Sequence, residues 1–120
     1  MEKKVYRVIS DCVEIYAGKT LHSKSLPDSL TTEDIINLYF AQDNFYEKKV
    51  CDCATYEDAV KACDSVRIVT VEGGYSVPVI MAEVAYVREI TLEIDDEAGS
   101  EIDIVADNGI RYYRAKEYHA

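Results

Sequence analysis

The stretch EVAYVREITLEID, residues 83–95, has the most regular strand pattern in the chain. Apolar side chains recur at every second position, with Arg88 in the same register: Val84, Tyr86, Ile90, Leu92 and Ile94. The intervening positions include four acids: Glu83, Glu89, Glu93 and Asp95. A repeat of two is the period of a β-strand, in which successive side chains point to opposite faces. The stretch therefore predicts a long strand with one buried face and one acidic face.

The same alternation resumes a few residues later. Glu101, Asp103 and Asp107 alternate with apolar residues across 101–107, and the acidic loop 95–100 connects this segment to the first strand. Same-face residues two positions apart in a strand lie about 6.7 Å from each other, so these carboxylates form a regular array of negative charge. We call this array the acid ladder, and its members are Glu89, Glu93, Asp95, Asp96, Glu97, Glu101 and Asp103.

Asn108-Gly109 predicts a two-residue hairpin turn that joins strands 101–107 and 110–116, because both residues tolerate positive φ. In that register Asp103 faces Arg114 and Glu101 faces Lys116, which would neutralise part of the ladder. The sequence supplies no such obvious partners for the other ladder acids. We therefore expect those carboxylates to stand outward, either as a plain solvated face or as a recognition surface.

The segments before the ladder predict one more strand region and two helices. Alternation across 4–17 indicates one long bent strand or two short ones. Thr31 precedes a helix at about 32–42, and Thr55 precedes a shorter helix at 56–64, since each threonine is followed by acids that favour a helix N-terminus.

A further hairpin is predicted between the second helix and the acid ladder. Period-two alternation restarts at Val66, and Gly73-Gly74 predicts a two-residue turn. The return strand would begin at Tyr75, and Pro78 suggests that this strand lies at a sheet edge.

The pattern of elements predicts an α+β fold: an antiparallel sheet of about five to six strands with two short helices packed on one face. At 120 residues, with 48% apolar and 30% charged residues, the chain 1–120 is expected to form a single folded domain.

The net charge of −10 limits the partners. Phosphate contacts supply most of the affinity for nucleic acid, so direct binding to nucleic acid or to an anionic membrane is not expected. There is no apolar run long enough to span a bilayer and no signal-peptide core, so we expect a cytoplasmic protein with four reduced cysteines.

Catalytic and metal-binding motifs are weak. Cys51 and Cys53 form a C-x-C pair, which Cys12, Cys63 or His22 could complete as a tetrahedral metal site, but structural zinc sites usually space such pairs further apart. The sequence lacks a phosphate-binding glycine loop and a nucleophile motif. We therefore predict no enzyme activity, no cofactor and no metal.

The chain contains ten tyrosines and no tryptophan. Tyrosine offers a large contact area at low entropic cost and is common in binding surfaces, although it also suits β-sheets. Tyr112 and Tyr113 follow the acid ladder in sequence, so we predict that they join it in binding a partner.

The acid ladder, the small size and the charge together resemble the small acidic inhibitors of phages and mobile elements, such as anti-CRISPR and anti-restriction proteins. The resemblance covers about a quarter of the chain and includes no diagnostic motif. It implies a non-catalytic inhibitor, a DNA mimic in charge, that docks on the basic nucleic-acid-binding surface of a CRISPR effector, restriction nuclease or related enzyme. Two alternatives remain open: an assembly subunit that oligomerises through a sheet edge near Pro78 or through Tyr112 and Tyr113, and a small enzyme that uses Cys51 or Cys53.

Overall fold

The computed structural model describes residues 1–16, 26–73 and 78–120. In chain order the elements are β1 (Glu2–Tyr16), β2 (Ser29–Leu30), α1 (Thr32–Ala41), β3 (Lys48–Cys53), α2 (Tyr56–Ser65), β4 (Thr70–Gly73), β5 (Val79–Ile94), β6 (Glu101–Ala115) and β7 (Tyr118–His119). No helix among these residues is long and apolar enough to cross a membrane.

Five antiparallel strands form the main sheet, and β5 lies at its centre. The strand β1 pairs with β5 along its whole length, from Glu2 opposite Glu93 to Tyr16 opposite Val79. β3 continues the sheet beyond β1, while β4 and β6 share the other side of β5. β2 and β7 form a separate two-stranded sheet. The predicted α+β class with an antiparallel sheet and two helices is confirmed.

Both helices begin where the sequence predicts. The Thr31 side chain accepts a hydrogen bond from the Asp34 amide, and the Asp34 carboxylate accepts one from the Thr31 amide, which completes a capping box. The Thr55 side chain accepts from the Asp58 amide in the same way at the start of α2. These caps pair N–H groups that have no partner inside the helix.

The two helices cover opposite faces of the sheet, which corrects the prediction that both pack on one face. α1 packs over a cluster that contains Ile9 and Tyr86, and α2 packs over a cluster that contains Val8 and Val87. Adjacent residues in a strand point to opposite faces of the sheet. Val8 therefore packs in the core under α2, while its neighbour Ile9 packs in the core under α1. Both faces are apolar at the centre of the sheet, and each face requires its own cover.

The expected Asn108-Gly109 hairpin is wrong. β6 runs unbroken through both residues, and together they lie opposite the single residue Glu89 as a bulge in which Gly109 has φ of +88°. The chain reverses at 95–100 instead, where Gly99 has φ of +69°. Asn-Gly suits a β-bulge as well as a turn, because both need a residue that tolerates positive φ. The long strand β5 supplies pairing on both sides of the bulge.

This register also replaces the expected cross-strand charge pairs. Asp103 lies opposite Glu93, not Arg114, and Glu101 lies opposite Ile94, not Lys116. The Arg114 guanidinium instead donates hydrogen bonds to the carbonyls of Cys63 and Val66 at the end of α2. The neutralisation that the sequence suggested for Asp103 is therefore absent.

The connection between β4 and β5 is only partly described. Gly73 ends β4 opposite Val79, while Gly74 and Tyr75, which belong to the predicted turn and return strand, lie outside the described residues. Pro78 directly precedes β5, and Val79 has partners in both β1 and β4. Pro78 thus marks a strand start and not a sheet edge, because a proline there removes no hydrogen bond from the ladder.

Candidate interaction surface

Glu89 of the acid ladder is buried and paired, contrary to the expectation that it stands outward. Its side chain lies 2.6 Å from the Lys4 ammonium and 3.1 Å from the Arg111 guanidinium, and the residue is only 4% exposed. Its position in the central strand, between β1 and β6, brings these cations to it from both sides. The hydrogen bond from Lys4 lowers the pKa of Glu89, and burial opposes that effect only in part.

Glu101 is also paired, through Arg7. The Arg7 guanidinium lies 2.8 Å from a Glu101 carboxylate oxygen and binds both oxygens of Asp52, at 2.8 and 3.0 Å. Asp52 belongs to β3 and Glu101 to β6, so Arg7 joins the two outer strands across the curled sheet. Burial raises the pKa of Asp52, but the hydrogen bonds and charge of Arg7 outweigh it and leave that pKa below its usual value.

A second arginine, Arg88, also binds two carboxylates from different parts of the chain. Arg88 lies directly opposite Arg7 in the β1–β5 ladder, and it binds Glu47, which precedes β3, and Asp107 of β6. Two like charges opposite each other destabilise a strand pair unless they are compensated. Here four carboxylates compensate them: Asp52 of β3, Glu47 just before β3, and Glu101 and Asp107 of β6.

The remaining ladder acids lie together at the turn between β5 and β6. We call this group the hairpin tip, and its members are Glu93, Asp95, Asp96, Glu97 and Asp103. The Asp95 carboxylate accepts hydrogen bonds from the amides of Glu97 and Ala98 and thereby shapes the loop. Glu97 and Asp103 form no ion pair within the described residues.

A row of three carboxylates crosses the sheet at the hairpin tip. Glu93 is opposite Asp103 on one side and opposite Glu2 on the other. The only cation that contacts this row or its neighbour Asp96 within the described part of the chain is the Met1 amino group, at 3.0 Å from Glu93 and 3.4 Å from Asp96. Directly opposed like charges are unfavourable, so the row is a local electrostatic cost to the folded chain.

Tyr112 and Tyr113 do not join the hairpin tip. They pair with Val87 and Tyr86, six or more ladder positions from Glu93, which is about 20 Å along a strand. The Tyr112 hydroxyl donates to Asp64 and its ring packs against the cluster under α2, whereas Tyr113 is 42% exposed. The register of β6, with its bulges included, therefore keeps both tyrosines away from the hairpin tip.

The cysteines are divided between two places. Cys51 and Cys53 lie on one face of β3 with their Sγ atoms 3.8 Å apart, and Cys63 of α2 lies in the same cluster, whereas Cys12 is apart from them beside Glu83. Burial raises the pKa of Cys53 and of Cys63 to about 11, so both thiols are protonated at neutral pH. Such thiols are poor nucleophiles.

The structure brings no wider metal-binding or catalytic cluster together in 1–16, 26–73 and 78–120. No group of three or more His, Cys, Asp or Glu side chains there converges as metal ligands, and His22 lies outside the described residues. An open groove of about 410 Å³ between β3 and α2 is lined by Lys48, Arg67 and small or apolar side chains. It contains no carboxylate, imidazole or thiol that could act as an acid, base or nucleophile.

The sequence did not predict one buried network of hydrogen-bonded polar side chains, which lies between β1, α1 and β5. The Asp11 carboxylate accepts a hydrogen bond from the Tyr39 hydroxyl, which contacts the Tyr86 hydroxyl at 3.0 Å, and Tyr86 donates to Glu47. Burial raises the pKa of Tyr39 and of Tyr86 well above the usual range. The available signal is Asp11 itself, an acid that lies between the apolar residues Ile9 and Val13 on one face of β1.

The paired carboxylates predict a loss of stability in acid. Because the pKa values of Glu89 and Asp52 are lower in the folded chain than in the unfolded chain, their contribution is complete above about pH 5 and declines as the pH falls through the folded pKa. We expect the double variant Glu89→Gln/Asp52→Asn to be less stable at pH 7 and to lose less stability between about pH 5 and pH 3 than the parent. Urea unfolding across that range tests this.

The control for this experiment is Asp43→Asn, which removes an exposed carboxylate without a cation partner among the described residues. Its stability profile should follow the parent. An unchanged slope in the double variant would show that other groups dominate the acid response.

Comparison with known proteins returned no match: no family model, no curated protein and no solved structure is significantly similar to this chain.

Proposed function

We propose that this protein is a non-catalytic acidic interaction protein whose hairpin tip docks on the basic nucleic-acid-binding surface of a nuclease or another nucleic-acid-acting enzyme. In this role it would act as an inhibitor of the anti-CRISPR or anti-restriction type. Lysine and arginine side chains line the channels that hold nucleic-acid backbones, and they are the natural counterpart of closely spaced carboxylates.

The observation that supports this proposal most is the row formed by Glu2, Glu93 and Asp103. Residues 93–103 contain six carboxylates and no basic residue. Arg7 pairs with Glu101, and the single charge of the Met1 amino group is shared between Glu93 and Asp96. A cationic partner would remove the repulsion within the row, so the folded state would gain free energy on binding that a neutral surface could not supply.

Ion pairs outside the hairpin tip neutralise other acids, so unpaired negative charge is concentrated at the tip. Lys4 pairs with Glu89, and Arg88 pairs with Glu47 and Asp107, while the hairpin tip lies at the turn between β5 and β6. Concentrated charge at one end raises the association rate with a basic groove and makes affinity depend on salt.

The test is a charge reversal confined to exposed tip residues: Asp96→Lys, Glu97→Lys and Asp103→Lys. Asp95 is left in place because its carboxylate holds the loop. We expect binding to fall by roughly 100-fold or more, since each reversal replaces an attraction with a repulsion. The thermal midpoint should change little, because Asp103→Lys removes a like-charge contact with Glu93 and Asp96→Lys removes only an exposed pair with the Met1 amino group.

The matched control reverses three exposed acids near α1 and β7: Asp28→Lys, Asp43→Lys and Glu117→Lys. Both variants and the parent would be used as bait in lysate of the source organism, or of its bacterial host, at low and high salt. Retention of a nucleic-acid-acting enzyme by the parent and the control, its loss with the tip variant, and its displacement by duplex DNA would support the proposal. Equal capture by the tip variant, or capture that DNA does not affect, would reject it.

Assembly through a sheet edge is the second candidate function, and β6 favours it. Ile102, Ile104 and Val105 of this strand are 61%, 45% and 47% exposed, and β5 is its only strand partner within the described residues. The unpaired backbone N–H and C=O groups of an open edge can pair with a strand of another chain, and exposed apolar side chains would be buried in that contact. Light scattering separates the two functions, since a stable oligomer of the pure protein favours assembly and a monomer at high concentration favours the acidic docking role.

A further inference from the structure

The pair Cys51 and Cys53 has a geometry that its sequence spacing does not show. The residues are two positions apart in β3, so both side chains lie on the face of the sheet that α2 covers. Their Sγ atoms are 3.8 Å apart, closer than the roughly 6.7 Å between their positions along the strand, so the two thiols lean toward each other.

We propose that Cys51 and Cys53 form a two-thiolate site for a thiophilic metal ion such as Zn²⁺ or Cd²⁺. Two thiolates on a tetrahedral zinc ion lie about 3.8 Å apart, because each Zn–S bond is about 2.3 Å long. The observed separation of 3.8 Å therefore needs no rearrangement of the strand. Binding forms two metal–sulfur bonds and releases one proton from each thiol to solvent, and no electron is transferred.

The surroundings allow a metal ion to enter. Both cysteines are partly exposed and β3 is an outer strand of the sheet, so water can complete the coordination shell. Cys63 packs in the same cluster from the α2 side but does not converge with the pair as a third ligand among the described residues, so the site consists of two thiolates. Closure of a disulfide is less suited to this pair, since the spacing of two strand positions is at the upper end of the Cα separations that disulfides span.

This site is independent of the hairpin tip and of the proposed inhibitor role. The test is a titration of the full chain with Cd²⁺ under a non-thiol reductant, followed by the ultraviolet absorption of thiolate-to-metal charge transfer. We expect one equivalent to bind, Cys51→Ser and Cys53→Ser each to weaken binding by at least tenfold, and Cys12→Ser to bind as the parent does. Circular dichroism of each variant verifies that the fold is retained.

Excess Ca²⁺ serves as the competitor, because Ca²⁺ prefers oxygen ligands and would displace Cd²⁺ only from carboxylates. Charge-transfer absorption that survives excess Ca²⁺ supports the thiolate site. Absence of the absorption in the parent, or equal absorption in the Cys51→Ser and Cys53→Ser variants, would overturn it.

Discussion

Replacement of Asp11 by alanine is expected to lower the free energy of unfolding by about 3 to 5 kcal/mol, because the variant leaves one buried hydroxyl and three partly buried amides without their acceptor. The Asp11 side chain accepts from the Tyr39 hydroxyl at 2.6 Å and from the amides of Tyr46 and Glu47 at 3.0 Å each. Its other oxygen accepts from the Cys12 amide at 2.8 Å. Tyr39 is completely buried, so water cannot replace the lost acceptor without opening the core.

Urea unfolding with two further variants tests this prediction. Asp11→Asn keeps one carbonyl oxygen and the side-chain shape, so it should lose an intermediate amount of stability. Asp43→Ala removes an exposed acid next to α1 and should change stability by less than about 0.5 kcal/mol. A loss below about 1 kcal/mol for Asp11→Ala would mean that the network does not stabilise the fold.

Replacement of Arg7 by leucine is the second large effect, with an expected loss of about 2 kcal/mol. The Arg7 side chain is 12% exposed and bridges the carboxylates of Asp52 and Glu101. The side chains of Asp52 and Glu101 are 24% and 35% exposed. Removal of the arginine leaves Glu101 without a cation and Asp52 with only the distant Lys49 ammonium, and that cost exceeds the gain from a new apolar side chain. The partial exposure of the carboxylates keeps the loss below that of a fully buried pair.

Lys49 offers a matched control for Arg7. It is a cation near the same Asp52 carboxylate, but at 3.8 Å and with a side chain that is 51% exposed, so Lys49→Ala should cost less than about 0.5 kcal/mol. Arg7→Lys should fall between the two, because lysine retains the charge and loses the bidentate geometry. Equal stability of Arg7→Leu and Lys49→Ala would contradict the bridging role of Arg7.

Local signals in the sequence predicted most of the secondary structure. The threonine caps of α1 and α2 depend on residues three positions apart, and the alternation in β1 and β5 depends on neighbours along one strand. Interactions between residues so close in sequence can be predicted without knowledge of the fold. The loop at 95–100, with its three acids, is likewise a local feature.

Strand pairing could not be predicted in the same way. The Asn108-Gly109 dipeptide suits a turn or a bulge, and the choice depends on whether β5 extends far enough to pair with both halves of β6. The face on which each helix packs could not be predicted either. It depends on which face of the sheet has apolar side chains that no other element covers.

The sequence by itself determined both helices, the strand alternation of β1 and β5, the α+β class and the excess of negative charge, because composition, capping and periodicity are properties of the chain. Only the tertiary structure decided which carboxylates remain without a cation. Strand register and sheet curl bring Lys4 and Arg111 to Glu89, Arg7 to Glu101 and the Met1 amino group to Glu93, while Asp103 has no cation partner among the described residues. Charge pairing depends on distances of a few ångströms between residues far apart in the chain, and those distances exist only once the sheet has formed.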